Sequence, residues 1–484
     1  MAIPPAVPHD PERQRPSVTL AVLALGGLSF ALLQSLVAPA LPEIQHRLHT
    51  SESGATWILT GYLLSASVAT PLLGRLGDIH GKERVLFWVL MALGAGSLVS
   101  ALASSLPLMI AGRVIQGAGG GVFPLAFGII RDEFPRKRVA GSIGLVSAIL
   151  GIGGGAGIVL AGPIVDTLSY HWLFWVPLVA VAIAAVATAL LVPESPVKAP
   201  AKIAWSSAVL LSAGLAALML AVSEAPSWGW GSARTVGLAA AGLAALAAWV
   251  RTELVSAHPL VDMRVMRLRG VWTTNLVAFL VGMGMYSSFI LLPQLVELPK
   301  SSGFGFGASV TGAGLFMVPM TIMMLLVGPA AGRLERRFGS KPPLVAGAIF
   351  VAAGYGLLGV VHDARVEVYL ASALLGIGVG LAFAAMANLI VEAVPADQTG
   401  VATAMNTIAR TVGGALGSQV VASILTGIVV AASGLPRERA FTISFALAGG
   451  AMLVSALVAL AIPGRGRARP EEQPPTHAAE AETV

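Results

Sequence analysis

Long apolar runs, separated by short polar or charged connections, fill the chain from residue 18 to residue 462. A helix needs about 20 predominantly apolar residues to cross the roughly 30 Å of bilayer hydrocarbon. Fourteen runs reach or approach that length: 18–41, 55–73, 85–104, 107–130, 139–165, 172–192, 205–223, 234–250, 271–296, 309–331, 344–361, 366–391, 401–429 and 441–462. The run at 234–250 is the shortest. The pattern predicts an all-α integral membrane protein with fourteen transmembrane helices, its lipid bilayer acting as solvent. Ahead of the first run stands a polar, proline-rich leader, "MAIPPAVPHDPERQRPS". No small-residue cleavage site stands out after it, so the run reads as a membrane helix and not a removed signal. The tail "RGRARPEEQPPTHAAEAETV" is polar and proline-rich, which predicts disorder.

Charge sets the orientation. With both termini on one side, that side holds 22 of the 30 lysines and arginines and the other side six, with Arg113 and Arg410 inside spans. Such asymmetry predicts that both termini are cytoplasmic. The net charge of +6 therefore reports membrane orientation, and no nucleic-acid partner is expected. At 56% hydrophobic and 11% charged residues, a soluble domain would lack a polar coat. Cysteine is absent, which excludes disulfides, thiolate metal sites and a cysteine nucleophile. The eight histidines form no pair at metal-ligand spacing within a run, so no metal or cofactor is expected. Neither HExxH nor GxSxG occurs, and no carboxylate pair lies inside a span, so enzyme chemistry is not expected.

Two charged strings repeat. "GRLGDIHGKERVL" (74–86) returns as "GRLERRFGSKPPL" (332–344), at an offset of 258 residues. "GAGGGVFPLAFGIIRDEFPRKRVAG" (117–141) is similar to "GIGVGLAFAAMANLIVEAVPADQTG" (376–400), with Gly117 matching Gly376 and Gly141 matching Gly400 at an offset of 259. Near-identical offsets argue for duplicated halves. The organisation that follows is a tail at 1–17, a six-helix bundle at 18–192 and a linker at 193–204. Two inserted helices at 205–250 and a connector at 251–270 come next, then a second six-helix bundle at 271–462 and a tail at 463–484. Gly74, Gly77 and Gly81 permit a tight turn and close approach by a neighbouring helix. Asp78 can cap the positive start of the third span or pair with a nearby arginine.

"GRLGDIHGKERVL" resembles the signature between the second and third helices of the major facilitator superfamily. "GRVIQGAGGG" (112–121) resembles its fourth-helix motif, and "DTLSYHWLFWVPL" (166–178) is similar to the fifth-to-sixth helix junction of the fourteen-span drug:proton antiporter branch. The resemblance implies a monomeric secondary transporter of the bacterial inner membrane. It would export a lipophilic or amphipathic small molecule by alternating access, driven by the proton gradient. An uncoupled or lipid-translocating transporter, or a non-transporting membrane sensor, stays open. The resemblance also implies a conformational latch, formed by Gly74, Asp78, Gly81, Arg84 and Asp132 in one half and Gly332 and Arg333 in the other. The second string has Glu335 and no central aspartate, so its latch is expected to be the weaker. The alternative is that these charges only enforce topology.

Ionisable side chains inside a membrane are costly and mark functional sites. Arg113 shares a helix face with Gln116, and Arg410 with Asn406. Gln34, Asn275, Tyr286 and Asn388 are the other mid-span polar groups taken as substrate-binding candidates. Arg113, in a layer without carboxylates, is expected to favour cargo with an acidic or strongly polar head. The alternative is a structural arginine held by backbone carbonyls. Along "GIGGGAGIVLAGP" (151–163), Gly153, Gly157 and Gly162 let helices approach closely. By resemblance this is the antiporter signature, but Ile158 stands where a proline is expected and Pro163 follows later. The branch carries an aspartate where Gln34 stands, and a glutamine cannot titrate. Asp78, Asp132, Glu224 and Glu392 remain as proton-coupling candidates. The orientation is open to test: a single cysteine at position 260 of this cysteine-free chain should resist impermeant thiol reagents in intact cells and react after lysis.

Overall fold

Fourteen helices in the computed structural model are long and apolar enough to span a membrane. The structure describes residues 16–50, 52–194, 204–256, 259–430 and 434–463. Most of the leader, nearly all of the tail and most of the 193–204 linker lie outside the described residues. The spanning helices are α1 Pro16–Ser35, α2 Glu52–His80, α3 Lys82–Ala101, α4 Leu106–Glu133, α5 Arg136–Thr167, α6 Trp172–Leu191 and α7 Trp205–Trp228. They continue as α8 Ala233–Val255, α9 Arg269–Glu297, α10 Val310–Phe338, α11 Lys341–Val360, α12 Arg365–Ala393, α13 Thr399–Gly427 and α14 Glu438–Leu460. Every expected run is a helix, including the shortest.

Three features differ from the expectation, each for a local reason. The charged strings are not turns: "GRLGDIH" is the last two turns of α2, and "GRLERRF" ends α10. Only Gly81 and Gly339, at φ +104° and +80°, reverse the chain, in a region that glycine enters without steric cost. Asp78 and Glu335 are buried, so these helix ends are packed rather than solvated. The first run stops early, because α1 ends at Ser35 and a short helix, Leu41–Arg47, starts anew with proline in its first turn. Finally, α4 tightens into a 3-10 turn at Gly117–Gly121. There Gly117 faces Ser65, Gly119 faces Phe30 and Gly120 faces Thr70 so closely that no Cβ would fit.

Each half has its own apolar core. One gathers Leu33, Ile58, Leu93, Phe123 and Phe174 from α1–α6; the other gathers Val277, Met317, Leu344, Phe383 and Phe441 from α9–α14. The halves meet along two seams. In the first, α5 runs antiparallel to α10 for its full length. Gly141 abuts Gly332, Ala148 abuts Gly328, Met324 covers Gly151, Thr321 covers Gly155, and Thr311 meets Gly162. In the second, α2 meets α13 where Gly74 lies against Gly400. These contacts repeat the sequence offsets: Gly74 and Gly332 are equivalent, as are Gly141 and Gly400. One helix contact is thus drawn twice, as a pseudo-two-fold relation between the halves requires.

The inserted pair straddles the α2–α13 seam. α7 and α8 pack tightly at Gly214 and Gly242, and Glu253 Oε1 accepts hydrogen bonds from Trp249 Nε1 (2.9 Å) and the Ser207 hydroxyl. Toward α2, the Thr60 and Ser223 hydroxyls lie 3.0 Å apart, and Ser67 donates to Met219 Sδ at 3.7 Å. Toward α13, Trp230 Nε1 donates to Ser423 Oγ at 2.8 Å, and Leu211 and Leu215 pack with Val401 and Ile408. Large apolar side chains such as Trp88, Leu190, Trp205, Val366 and Leu457 point outward, the face a lipid-embedded bundle presents. Within the 251–270 connector, Leu260 is buried whereas Arg267 is exposed. Arg267→Cys is therefore the better reporter for the labelling experiment, with the exposed Lys300→Cys as its opposite-face control.

Candidate functional site

Two small adjoining cavities lie between the halves, near the middle of α5 and α13, with volumes of about 10 and 30 Å³. Such spaces hold little more than a water molecule each. Leu150, Thr407 and Arg410 border both cavities, as does Phe123. Gln34, Tyr62, Ser67 and Tyr286 border the second; Phe127, Phe383 and Asn406 border the first. Gln34 Nε2 donates to the Tyr286 hydroxyl at 3.2 Å, a direct bond from α1 to α9. Asn406 Nδ2 donates to Asn275 Oδ1 at 3.0 Å, so these two residues join α13 to α9. The Arg410 guanidinium lies 4.5 Å over the Phe383 ring and has no hydrogen bond or ion pair among the described residues. Neither cavity is lined by a carboxylate.

Arg113 and Gln116 stand elsewhere. Both are fully buried, and neither lines a cavity. Arg113 Nη1 donates to Leu33 O (3.1 Å) and Gln116 Oε1 (2.7 Å), and its Nε donates to Ile58 O (3.3 Å). Gln116 Nε2 in turn donates to Ser97 Oγ at 3.0 Å. The guanidinium sits 4.2 Å above the Tyr62 ring, which stands between it and the cavity. Arg113 therefore binds α1 and α2 to α4 one turn before the 3-10 break. This is the structural-arginine alternative, realised through backbone carbonyls.

A second polar cluster occupies the face where the basic connections gather. Asp78 is fully buried. It accepts hydrogen bonds from the backbone N–H groups of Gly400 (3.2 Å) and Val401 (3.1 Å). Those are first-turn donors of α13 with no partner inside their own helix, at its positive end. The aspartate thus caps the thirteenth span, in the opposite half, and not the third. Lys82 Nζ lies 2.7 Å from Asp132 Oδ2 and 3.6 Å from Asp78 Oδ1, all three side chains being buried. Gly128 makes room for the Lys82 stem. Arg131 reaches across to Val394 O (2.8 Å), Pro395 O (3.2 Å) and Thr399 Oγ1 (2.6 Å). At the equivalent place in the other half, Asn388 Nδ2 donates to Glu335 Oε2 and to Ala140 O, the latter at 3.2 Å. Asn388 therefore belongs to this cluster and not to the cavity.

The remaining candidates fall outside both clusters. Arg84 is largely exposed and pairs with Glu194 of its own half at 3.0 Å. Arg333 is exposed, with no hydrogen bond or ion pair among the described residues. Gly81 shapes the α2–α3 turn, whereas Gly74 and Gly332 make the seam contacts above. Gly153 and Gly157 take up Ala31 and Ser35 of α1, with Ser35 Oγ donating to Gly153 O at 2.9 Å. Pro163 lies on the exposed face of α5. Glu224 accepts from Ser227 Oγ at 2.9 Å near the far end of α7, and Glu392 is exposed at the end of α12. Lys82, Arg131 and Tyr62 were not singled out from the sequence as site residues. The i, i+4 spacing of Asp78 and Lys82 was the one available signal; the partners of Arg131 lie more than 260 residues away.

Two pseudo-symmetric helical halves, closed over a small polar centre and buttressed by an inserted pair, define a membrane transporter fold. The profile of the Major Facilitator Superfamily matches residues 23–418, and the chain belongs to that family. It is 30% identical over 434 residues to the "Tetracenomycin C resistance and export protein" of Streptomyces glaucescens, covering 88% of this chain and 79% of the relative. A "Multidrug resistance protein B homolog" of Mycobacterium tuberculosis is 28% identical over 441 residues, covering 87% and 80%. Among solved structures, the proton:xylose symporter XylE shares the fold at a TM-score of 0.65 and 15% identity, over 93% of this chain and 96% of that one. The human organic anion transporter MFSD10 does so at 0.65 and 17%, over 93% and 100%.

Two substitutions separate the clusters. Arg113→Ala removes the buried donors to Leu33 O, Ile58 O and Gln116 Oε1 and should destabilise the protein by about 1–3 kcal/mol, read as a lower melting temperature in detergent. Gly74→Val places its Cβ within 2.7 Å of Gly400 O. It should part α2 from α13 and expose a cysteine placed at the buried Thr403 to thiol reagents, whereas the parent with that cysteine stays protected.

Proposed function

We propose that the protein is an exporter of amphipathic small molecules, working by alternating access across the bacterial cytoplasmic membrane with both termini in the cytoplasm. The doubled glycine contact carries this reading. Gly74–Gly400 and Gly141–Gly332 lie on the same face, the one that carries the basic connections and is cytoplasmic in this reading. Two closely packed but unbonded backbones can separate without breaking a core, so the halves can rock about the central cavities. Asp78 on the α13 terminus and Arg131 on the α12–α13 loop then act as the latch of the cytoplasm-closed state. The cavities are collapsed in this state and would widen to admit cargo when that face opens. Relatives named for resistance and export support an outward direction.

Coupling is placed away from the cargo. The cavities lack a carboxylate and Gln34 has no titratable group, so the coupling carboxylates of this reading are Asp78 and Asp132, buried with Lys82 until the latch opens. Neutralising one of them should act on the cycle and not on cargo affinity. In proteoliposomes loaded with neutral, cationic and anionic aromatic dyes, Asp78→Asn should slow flux several-fold with near-normal half-saturation. An imposed pH gradient should accelerate the parent and have less effect on Asp132→Asn. Absence of flux for every dye would refute export.

A further inference from the structure

Resting on that exporter reading, we infer that the central cavities recognise aromatic cargo carrying an acidic group ionised at neutral pH, and that Arg410 is the residue that reads this charge. Arg410 is nine-tenths buried and borders both cavities. Other buried cations of the described protein are already engaged: Lys82 by two carboxylates, Arg113 by two carbonyls and an amide. Arg410 has no hydrogen bond or ion pair among the described residues; it has the face of Phe383, 4.5 Å away, and the neutral Tyr286 nearby. A guanidinium stays protonated in proteins, and five N–H donors in a fixed fork suit a carboxylate or sulfonate. Leaving such a group at an apolar midplane without an anion is costly, and a cargo anion removes that cost.

The surroundings agree in chemistry. No side chain bordering either cavity is acidic, so a cationic cargo would meet like charge with nothing to offset it. Phe123, Tyr62 and Tyr286 offer ring faces, while Gln34 and Thr407 offer neutral hydrogen bonds. A planar aromatic body with one anionic substituent matches rings and fork together. The charge preference expected of Arg113 from the sequence thus belongs to Arg410, because Tyr62 stands between Arg113 and the cavity.

Three naphthalene probes that carry an anionic, a neutral and a cationic substituent at the same ring position test this: naphthalene-2-sulfonate, 2-naphthalenemethanol and 2-naphthylmethylammonium. Each is titrated calorimetrically into the full-length protein in phosphatidylcholine nanodiscs, with empty discs subtracted. The sulfonate should bind at least about tenfold tighter than the ammonium, the scale of one hydrogen bond to a charged group. Arg410→Gln should abolish the preference and Arg410→Lys retain part of it. Gln34→Asp, which adds a carboxylate at the cavity wall and leaves the arginine in place, should lower sulfonate affinity and raise that of the ammonium. Equal affinities, a preference for the ammonium, no binding of any probe, or a sulfonate preference surviving in Arg410→Gln would overturn the assignment. A protein that transports neutral or cationic dyes but ignores the sulfonate remains an exporter and loses only this inference; one that moves no dye of any charge loses the exporter reading as well.

Discussion

Two glycine pairs, Gly74 with Gly400 and Gly141 with Gly332, set how closely the halves approach. In lipid no hydrophobic force draws one helix to another, so association depends on close van der Waals packing and on polar contacts made at short range. With side chains at these four positions, α2 and α13 would stand further apart, as would α5 and α10. Asp78 would then lose Gly400 N–H and Val401 N–H, which it reaches at 3.2 and 3.1 Å. The glycines thus come first and the hydrogen bonds follow from them.

The polar groups inside the bundle obey one rule, that a buried charge needs a partner. At the cytoplasmic end of the proposed orientation, Lys82 lies between Asp78 and Asp132. Deep in the N-terminal half, Arg113 directs Nε and Nη1 to carbonyls of neighbouring helices and to Gln116, while its buried Nη2 has no hydrogen-bond partner among the described residues. Arg410 departs from the rule, and it does so at the cavities between the halves. That contrast separates groups that hold a half together from one that faces the cavities between the halves.

The duplicated strings were legible because residues 74–86 and 332–344 share glycine and arginine at fixed positions. Their equivalence in space was not legible, and neither was the shape of the strings. Glycines beside charges read as a turn, yet α2 and α10 continue through them, because Asp78 and Glu335 find partners in the bundle. Asn388 shows the same limit. A mid-run amide reads as a cavity residue, but the packing of α12 against α5 turns it to Ala140.

What the sequence determined by itself was everything set by local chemistry and counting. Fourteen apolar runs of sufficient length must become helices, since the hydrocarbon offers no partner for an unpaired backbone group. The offset specifies duplicated halves, and the motifs specify the family. What tertiary structure decided was the partner of each polar side chain. Arg113 and Arg410 are both single arginines inside apolar runs, each with an amide on its face, and nothing within a few residues of either distinguishes them. Burial behind Tyr62 against the α1 and α2 carbonyls made one a brace. Placement between the halves beside Phe383 left the other facing the cavity. Those neighbours come from other helices, tens to hundreds of residues away, so only the folded arrangement of the helices could assign them.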